Sequence, residues 1–468
     1  MKLRVRDPVD CEITKANKPE MKWLKGLLSY SAQWYRKGQY GGRVETYKRS
    51  LITGSFFPVG LLQYVQQAAE RDEIEVVVEG LLELLPTTGK GTVPGITLRS
   101  DQQRMVLEAI KKQRGLLVAP TGSGKTVLLM SILASFPTAK VLILNHSLDI
   151  IAQTANELHA HGFNSVCRLG GGGVRDLEGR LAISTRQALV ESVKPGADGK
   201  EQPPRLKERH KKWFADLDVL LVDECHLWGE EWGQYNTIMR STVAPVRLGF
   251  TATKPKKGHI QLILEGALGP LIDQVTYSEA QDLDILAPVK LELWTVPYRA
   301  SIAQLGRFSY IHQEGIVANQ ARNTILVQRA IQFADANETC ILFVDKLEHV
   351  QTILDTAAML DFPMEAVHGD VPIATRNKFK DDLLSKKLHC VVATKAWREG
   401  LNIPNLGGVI LAGGGKTEQA LLQAIGRGLR RADGKDKAVV VDILDPYPHL
   451  AVHTVQRLSV YVKQGWLR

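Results

Sequence analysis

The sequence predicts an α/β protein: two parallel-sheet units in tandem behind a smaller α/β domain. Three observations lead there. Short apolar runs alternate with amphipathic stretches from about residue 96 to 275, and the pattern repeats from 339 to 443. The runs are apolar on both faces, as strands sandwiched between two helical layers must be. At 468 residues the chain is also too long for one ordinary core, so two or three domains are expected. The expected boundaries are 1–92, 93–280 and 281–468.

Within 1–92, strand-like runs at Leu3 and Val5 and at 74–78 surround a helical-looking stretch from Met21 to Tyr35. Segment 86–94, rich in Thr, Gly and Pro, reads as a linker. Strands of the first unit are expected at 115–119, 140–144, 180–184, 219–222 and 246–250. Those of the second are expected at 339–344, 364–367, 390–393, 408–411 and 438–443. With 44% hydrophobic and 23% charged residues the composition is that of a globular chain. It has no apolar run of bilayer length and no signal-like h-region, so no membrane partner is expected. The five cysteines are scattered without a CxxC pair, which argues for free thiols and against a zinc site or disulfide framework. A net charge of +9 suits a polyanionic partner without demonstrating one.

The chemistry concentrates in two motifs. Ala119-Pro-Thr-Gly-Ser-Gly-Lys-Thr126 sits between an apolar strand and a helical run, the context a phosphate-binding loop needs, although Ala119 replaces the usual first glycine. Pro120, Thr121, Gly122, Ser123 and Gly124 would wrap the phosphates with backbone N–H groups, at the positive end of the following helix. Lys125 would reach the β and γ phosphates of ATP, and Thr126 would hold Mg²⁺. Asp223-Glu224-Cys225-His226 follows a second apolar strand. Adjacent carboxylates at a strand end suit two tasks: Asp223 as metal ligand and Glu224 as the group that polarises the attacking water. His226 is expected to link this site to Thr251-Ala252-Thr253. Two glycine runs imitate phosphate loops: Gly413-Gly-Gly-Lys416-Thr417 reads as a strand-to-helix turn, and 170–173 as a flexible turn.

These residues, in this order, resemble superfamily 2 helicases from about residue 96 onward. The resemblance implies two RecA-like domains. It makes Gln102, in Leu98-Arg-Ser-Asp-Gln102, an adenine contact. It places Asn145, His146 and Ser147, and then Thr185, Arg186 and Gln187, in nucleic-acid-contacting loops. In the second unit it implies nucleic-acid contacts at Lys346, Thr394 and Lys395. Gly400 and Gln423 would lie at the nucleotide. Arg427 and Arg430 would supply positive charge to the γ-phosphate from the opposite domain. Many relatives carry aspartate where this chain has Asn402, so that position receives no role.

The N-terminal segment narrows the family. Basic residues outnumber acidic ones up to Arg49, and Trp34, Tyr35, Tyr40 and Tyr47 are interleaved with them, which suits phosphate contact with some base stacking. Arg36, Lys37 and Arg43 are the candidates. Tyr40-Gly-Gly-Arg43, then Phe57-Pro-Val-Gly-Leu-Leu62, and the ending from Asp442 to Pro448 with Arg457 and Tyr461 look like phage-encoded branch-migrating helicases of the UvsW type. That resemblance implies a monomeric motor on branched or duplex DNA, acting in recombination, replication and repair. It implies the cytoplasm as location, the host's if the gene is a phage's; protein partners are left open. A basic segment from Lys194 to Trp213, including Lys207, Arg209, Lys211 and Lys212, is a candidate DNA-contacting arm. Three other readings stand beside this one: an RNA helicase of the same superfamily, a nucleotide-gated protein that senses DNA structure without moving, and the motor subunit of a restriction system, against which stands the lack of a nuclease constellation in the sequence.

Overall fold

A computed structural model describes the chain except at 39–40, 89–90, 171, 194–201, 203, 228–232, 254–257, 395–396, 398–402, 404–405, 416–424, 427–436 and 468; at 32–47 and 149 it describes the backbone alone. The chain divides into two compact units, Met1–Ala119 with Lys125–Gln274 and Pro120–Gly124 with Val275–Arg468.

The first unit opens with β1 (Lys2–Val5), β2 (Asp10–Lys15), α1 (Lys18–Leu27), β3 (Ser29–Gly38), β4 (Gly41–Ser50), β5 (Phe56–Pro58), α2 (Leu62–Arg71) and β6 (Val77–Glu79). Four of these strands form a small sheet in the order β5-β2-β1-β6. Helix α1 starts on a capping box, in which the Asn17 side chain accepts from Glu20 N at 2.9 Å and Glu20 Oε2 accepts from Asn17 N at 2.7 Å. A helix reaching Tyr35 does not form. Leu28 closes α1, and the β-forming residues that follow pair antiparallel with β4, from Ser29↔Ser50 to Gly38↔Gly41.

Then come α3 (Ser100–Lys112), β7 (Arg114–Val118), α4 (Lys125–Ala134), β8 (Val141–Asn145), α5 (Leu148–Ala160), β9 (Val166–Leu169), β10 (Leu181–Thr185) and α6 (Arg186–Leu189). They are followed by β11 (Val190–Glu191), β12 (Arg205–Leu206), α7 (Glu208–Phe214), β13 (Val219–Val222), α8 (Gln234–Arg240), β14 (Val246–Thr251), α9 (His259–Leu268) and β15 (Leu271–Gln274). The main sheet has the order β15-β7-β14-β13-β8-β10-β9 with every pairing parallel. All five expected strands are in it. The two that sequence reading misses, β9 and β15, are its edges, where one flank needs no cover and residues such as Arg168 and Asp273 break the apolar run.

The N-terminal strands and helices share the core of this unit. Leu3, Leu24, Leu61 and Val65 belong to the same buried cluster as Leu220, Leu264 and Leu268. The turn Val59–Leu61 lies so close to α9 that a Cβ on Gly60 would be driven into the carbonyl oxygens of Glu265 and Gly266. Arg114, half-buried at the start of β7, donates to Pro8 O at 2.8 Å and to Ala267 O at 3.1 Å. Even the expected linker is docked: Leu85 exchanges two 2.7 Å hydrogen bonds with the Gln113 amide, and Thr88 N donates to Ser135 O at 3.0 Å.

The second unit contains α10 (Tyr277–Asp282), β16 (Val289–Thr295), α11 (Ala300–Ala303), α12 (Phe308–His312), α13 (Gln320–Asp335), β17 (Cys340–Phe343), α14 (Leu347–Met359) and β18 (Glu365–Val367). It continues through α15 (Ile373–Leu384), β19 (Cys390–Ala393), β20 (Gly408–Leu411), β21 (Ala438–Leu444) and α16 (Leu450–Lys463). Its sheet, β16-β21-β20-β17-β19-β18, is again wholly parallel. The strand that sequence reading misses, β16, is once more an edge, and its Lys290, Glu292 and Thr295 alternate with apolar residues. Beside β21 lies a buried ionic network. Arg322 grips Asp445 with two bonds of 2.8 and 3.2 Å and Ala412 O with a third of 2.7 Å. Asp442 Oδ2 accepts from Arg457 Nε at 2.8 Å and from the Tyr461 hydroxyl at 2.7 Å. The C-terminal residues that resemble the UvsW type, Asp442, Arg457 and Tyr461, thus meet inside the unit. Among the described residues no helix is long and apolar enough to cross a membrane.

Candidate active site

Strand β7 ends where the phosphate loop begins. Ala119 N donates to Thr251 O at 2.9 Å, which ties the loop's entry to the end of β14. The loop's curl is set by Gly122 at φ +91° and Gly124 at φ +88°, conformations an L side chain resists. Ser123 closes it, its hydroxyl donating to Pro120 O at 2.8 Å. Helix α4 then starts at Lys125, so its unpaired N–H groups face the loop. Lys125 Nζ stands 3.4 Å from Ala119 O and 3.7 Å from Glu224 Oε1, between loop and carboxylate.

Asp223 and Glu224 leave the C-terminal end of β13 at the middle of the sheet. Asp223 Oδ1 accepts from Glu224 N at 2.9 Å and Oδ2 from the Asn145 amide at 3.0 Å. Burial, then the neighbouring Glu224, push the Asp223 carboxyl above its ordinary value, and Lys125 opposes them. Glu224 is held at φ +47°, a left-handed conformation costly for a residue with a Cβ, and such strain gathers at sites where it serves a purpose. The turn swings Glu224 back: its Oε2 lies 3.2 Å from His226 Nδ1, which is 2.8 Å from Thr251 Oγ1. Thr251 Oγ1 donates to Thr253 O at 3.1 Å and accepts from Thr253 N at 3.2 Å, which holds the hydroxyl beside the imidazole. Lys125, Asp223, Glu224, His226 and Thr251 therefore form one connected site, as expected from their motifs.

Other expectations meet different geometry. Gln102 is buried and its Oε1 accepts from Arg99 N at 3.2 Å, capping α3. Asn145, expected in a nucleic-acid-contacting loop, is 1% exposed and orients Asp223. Its Oδ1 also accepts from His146 N at 2.7 Å, so both ends of the amide are engaged within the protein. Thr185, expected in the next such loop, is 5% exposed, and its hydroxyl caps α6 by accepting from Ala188 N at 3.3 Å. Arg186 rests over the Tyr235 ring at 5.1 Å, half-buried, while Gln187 is exposed and His146 and Ser147 are half-buried.

The basic segment is no free arm where it is described. Strand β12 pairs with β11, and α7 buries His210, Trp213 and Phe214. Lys207 Nζ is committed to the carbonyls of Ala188 and Gln187 at 2.7 and 3.3 Å. Arg209 pairs with Asp176 at 3.4 Å and Lys211 with Glu208 at 2.6 Å, and Lys212 is exposed. In the second unit Lys346 is exposed at the start of α14 and Thr394 is half-buried at the end of β19. The glycines after β20 pack instead of cradling phosphate: a Cβ on Gly413 would stand 2.7 Å from Asp345 Oδ2. Gly173 N donates to Gly170 O at 3.1 Å, closing the other glycine run as a turn. Arg36 and Arg43 are cross-strand partners in the β3–β4 hairpin, next to Lys37↔Gly42; their side chains, and Lys395, Gly400, Gln423, Arg427 and Arg430 altogether, lie outside the described residues.

Residues 95–256 match the family "Type III restriction enzyme, res subunit" and residues 322–432 match "Helicase conserved C-terminal domain". The chain belongs to the superfamily 2 helicases. This helicase is 25% identical over 476 residues to the "ATP-dependent DNA helicase uvsW" of Enterobacteria phage T4, an alignment covering 93% of this chain and 88% of that protein, and it is related to the UvsW type. It is 22% identical over 386 residues to the "DNA 3'-5' translocase XPB2" of Sulfurisphaera tokodaii, covering 75% of this chain and 82% of that one. Among solved structures, the helicase matches the "ATP-dependent Type ISP restriction-modification enzyme LlaBIII bound to DNA" with a TM-score of 0.59 and 16% identity, over 86% of this chain and 32% of that chain; at that identity the likeness is one of fold. The motor domains make the helicase an ATP-hydrolysing nucleic-acid translocase.

The orienting role of Asn145 escapes sequence reading because it depends on β8 lying beside β13, a strand order that local pattern does not carry.

Proposed function

We propose that this helicase drives along duplex DNA and remodels branched DNA, regressing forks and migrating four-way junctions. The observation that carries the reading is the alignment with the phage T4 protein, which runs through the N-terminal region as well as the motor. On this reading residues 1–92 choose the substrate, 93–280 hold ATP, and 281–468 supply Arg427 and Arg430. Glu224 orients the attacking water, Lys125 neutralises the γ-phosphate, and Gln102, Gly400 and Gln423 border the nucleotide. Thr126 and Asp223 would hold Mg²⁺: a buried carboxylate crowded by a second one is a donor set that a divalent cation relieves. The bound cation would neutralise phosphate charge.

The test is ATP turnover and strand remodelling on linear, forked and four-way DNA, with single-stranded DNA and RNA alongside. Branched DNA should stimulate most, and Glu224→Gln should abolish turnover while still binding nucleotide. Arg430→Ala should slow hydrolysis about 10³-fold, as loss of an arginine finger does. Equal stimulation by every DNA would reduce the reading to a general translocase, and stimulation by RNA alone would replace it with an RNA helicase.

A further inference from the structure

The second unit carries an aromatic surface that no helicase motif uses. Phe308 in α12 is 44% exposed, and three imidazoles brace it, with ring centroids 5.7 Å (His312), 6.1 Å (His449) and 5.5 Å (His453) away. Tyr298, 60% exposed, stacks on the buried ring of Tyr447 at 5.8 Å and 24°. The supports are themselves fixed. Ile302, Ile311, Ile316, Tyr447 and Leu450 make a separate apolar cluster beneath them. Gln313–Val317 winds as a π turn, closed by Ala318 N donating to Gln313 O at 2.8 Å, and such turns are frequent at functional sites. His449, next to Phe308, is held at φ +64°.

Charge selects the occupant. Segments 296–313 and 446–467 contain no aspartate or glutamate, and Arg299 and Arg307 are exposed on the first of them; of the carboxylates that border these segments, Asp445 is buried against Arg322 and Glu314, in the π turn, is exposed. Exposed, rigidly backed rings whose own segments carry arginines and no carboxylate fit a stacked base and its phosphate. We propose that Phe308 and Tyr298 form a stacking platform for unpaired bases of the DNA on which the motor acts. The proposal rests on the DNA-translocase reading above and adds to it a contact outside the motifs.

The experiment is binding of a labelled oligothymidylate and of a labelled blunt duplex, by anisotropy. Phe308→Ala and Tyr298→Ala should each weaken oligothymidylate binding about ten-fold, the value of one lost base stack, and leave the duplex nearly unaffected. Phe308→Trp should bind as the parent does. Phe308→Leu, which keeps apolar volume without a π face, should behave like the alanine variant. Alanine variants that bind oligothymidylate as the parent does, or a leucine variant that does, overturn the platform while the DNA reading stands. A parent that binds neither DNA overturns both.

Discussion

Asp223 works against its surroundings. Burial and Glu224 raise its carboxyl, so the ionised form that can hold a cation exists only above that raised value. In the nucleotide-free protein Mg²⁺ binding should therefore weaken, on acidification, at a pH above the ordinary aspartate value of about 3.9. Mg²⁺ titrations of the nucleotide-free protein at a series of pH values check this, and a loss of binding centred near the ordinary value would assign the limb to another group. Arg322 presents the opposite case, a charge satisfied inside the protein. Both it and Asp445 are buried, and removing the guanidinium strands the carboxylate. Arg322→Ala should cost about 3–5 kcal/mol, the usual result of breaking a buried pair from one side. Urea unfolding followed in the second unit would show it. Replacing Arg322 and Asp445 together with apolar residues should cost far less, because no charge is then left unpaired.

Helix α7 shows what a run of basic residues becomes once folded. Lys207 caps carbonyls of α6, so Lys207→Ala should destabilise the unit by about 1 kcal/mol, the net worth of such a bond. Arg209→Ala and Lys211→Ala remove exposed pairs worth at most about 1 kcal/mol and should change the unfolding midpoint little. If neutralising Arg209, Lys211 and Lys212 together leaves the salt slope of DNA binding intact, this helix does not touch phosphate. The contrast marks what the sequence can show. Lys125, Asp223 and Glu224 are legible because consecutive residues make their geometry: a loop after one strand, a carboxylate pair after another. The nine central strands are legible because burial on both faces leaves an unbroken apolar run, and the edge strand β18 is found without it. Edge strands β9, β15 and β16 lack that run, and β3 reads as helix because it follows α1 after Leu28 alone, so the helical pattern carries on into it. Asn145, Thr185 and Lys207 were assigned to nucleic acid because their partners, Asp223, Ala188 and the end of α6, become neighbours only through folding.

At the scale of the molecule, the N-terminal region and the first motor sheet are one body. A chain beginning at Thr92 would expose Leu264 and Leu268 and leave Arg114 without Pro8 O, so it should be insoluble or largely unfolded. Soluble expression and circular dichroism would decide, and a folded, ATP-hydrolysing product would show that the shared core is dispensable. Gly60→Ala is the gentler version: the added methyl has no room against α9 and should cost about 1–3 kcal/mol, as overpacking does. The shared core also sets an order of events during synthesis. Leu3, Leu24, Leu61 and Val65 leave the ribosome well before Leu264 and Leu268 exist. At roughly 5–20 residues per second that interval is on the order of ten to forty seconds. Throughout it the nascent N-terminal sheet carries an uncovered apolar face, which makes it a ready client for chaperones and ties the yield of active motor to the speed of translation.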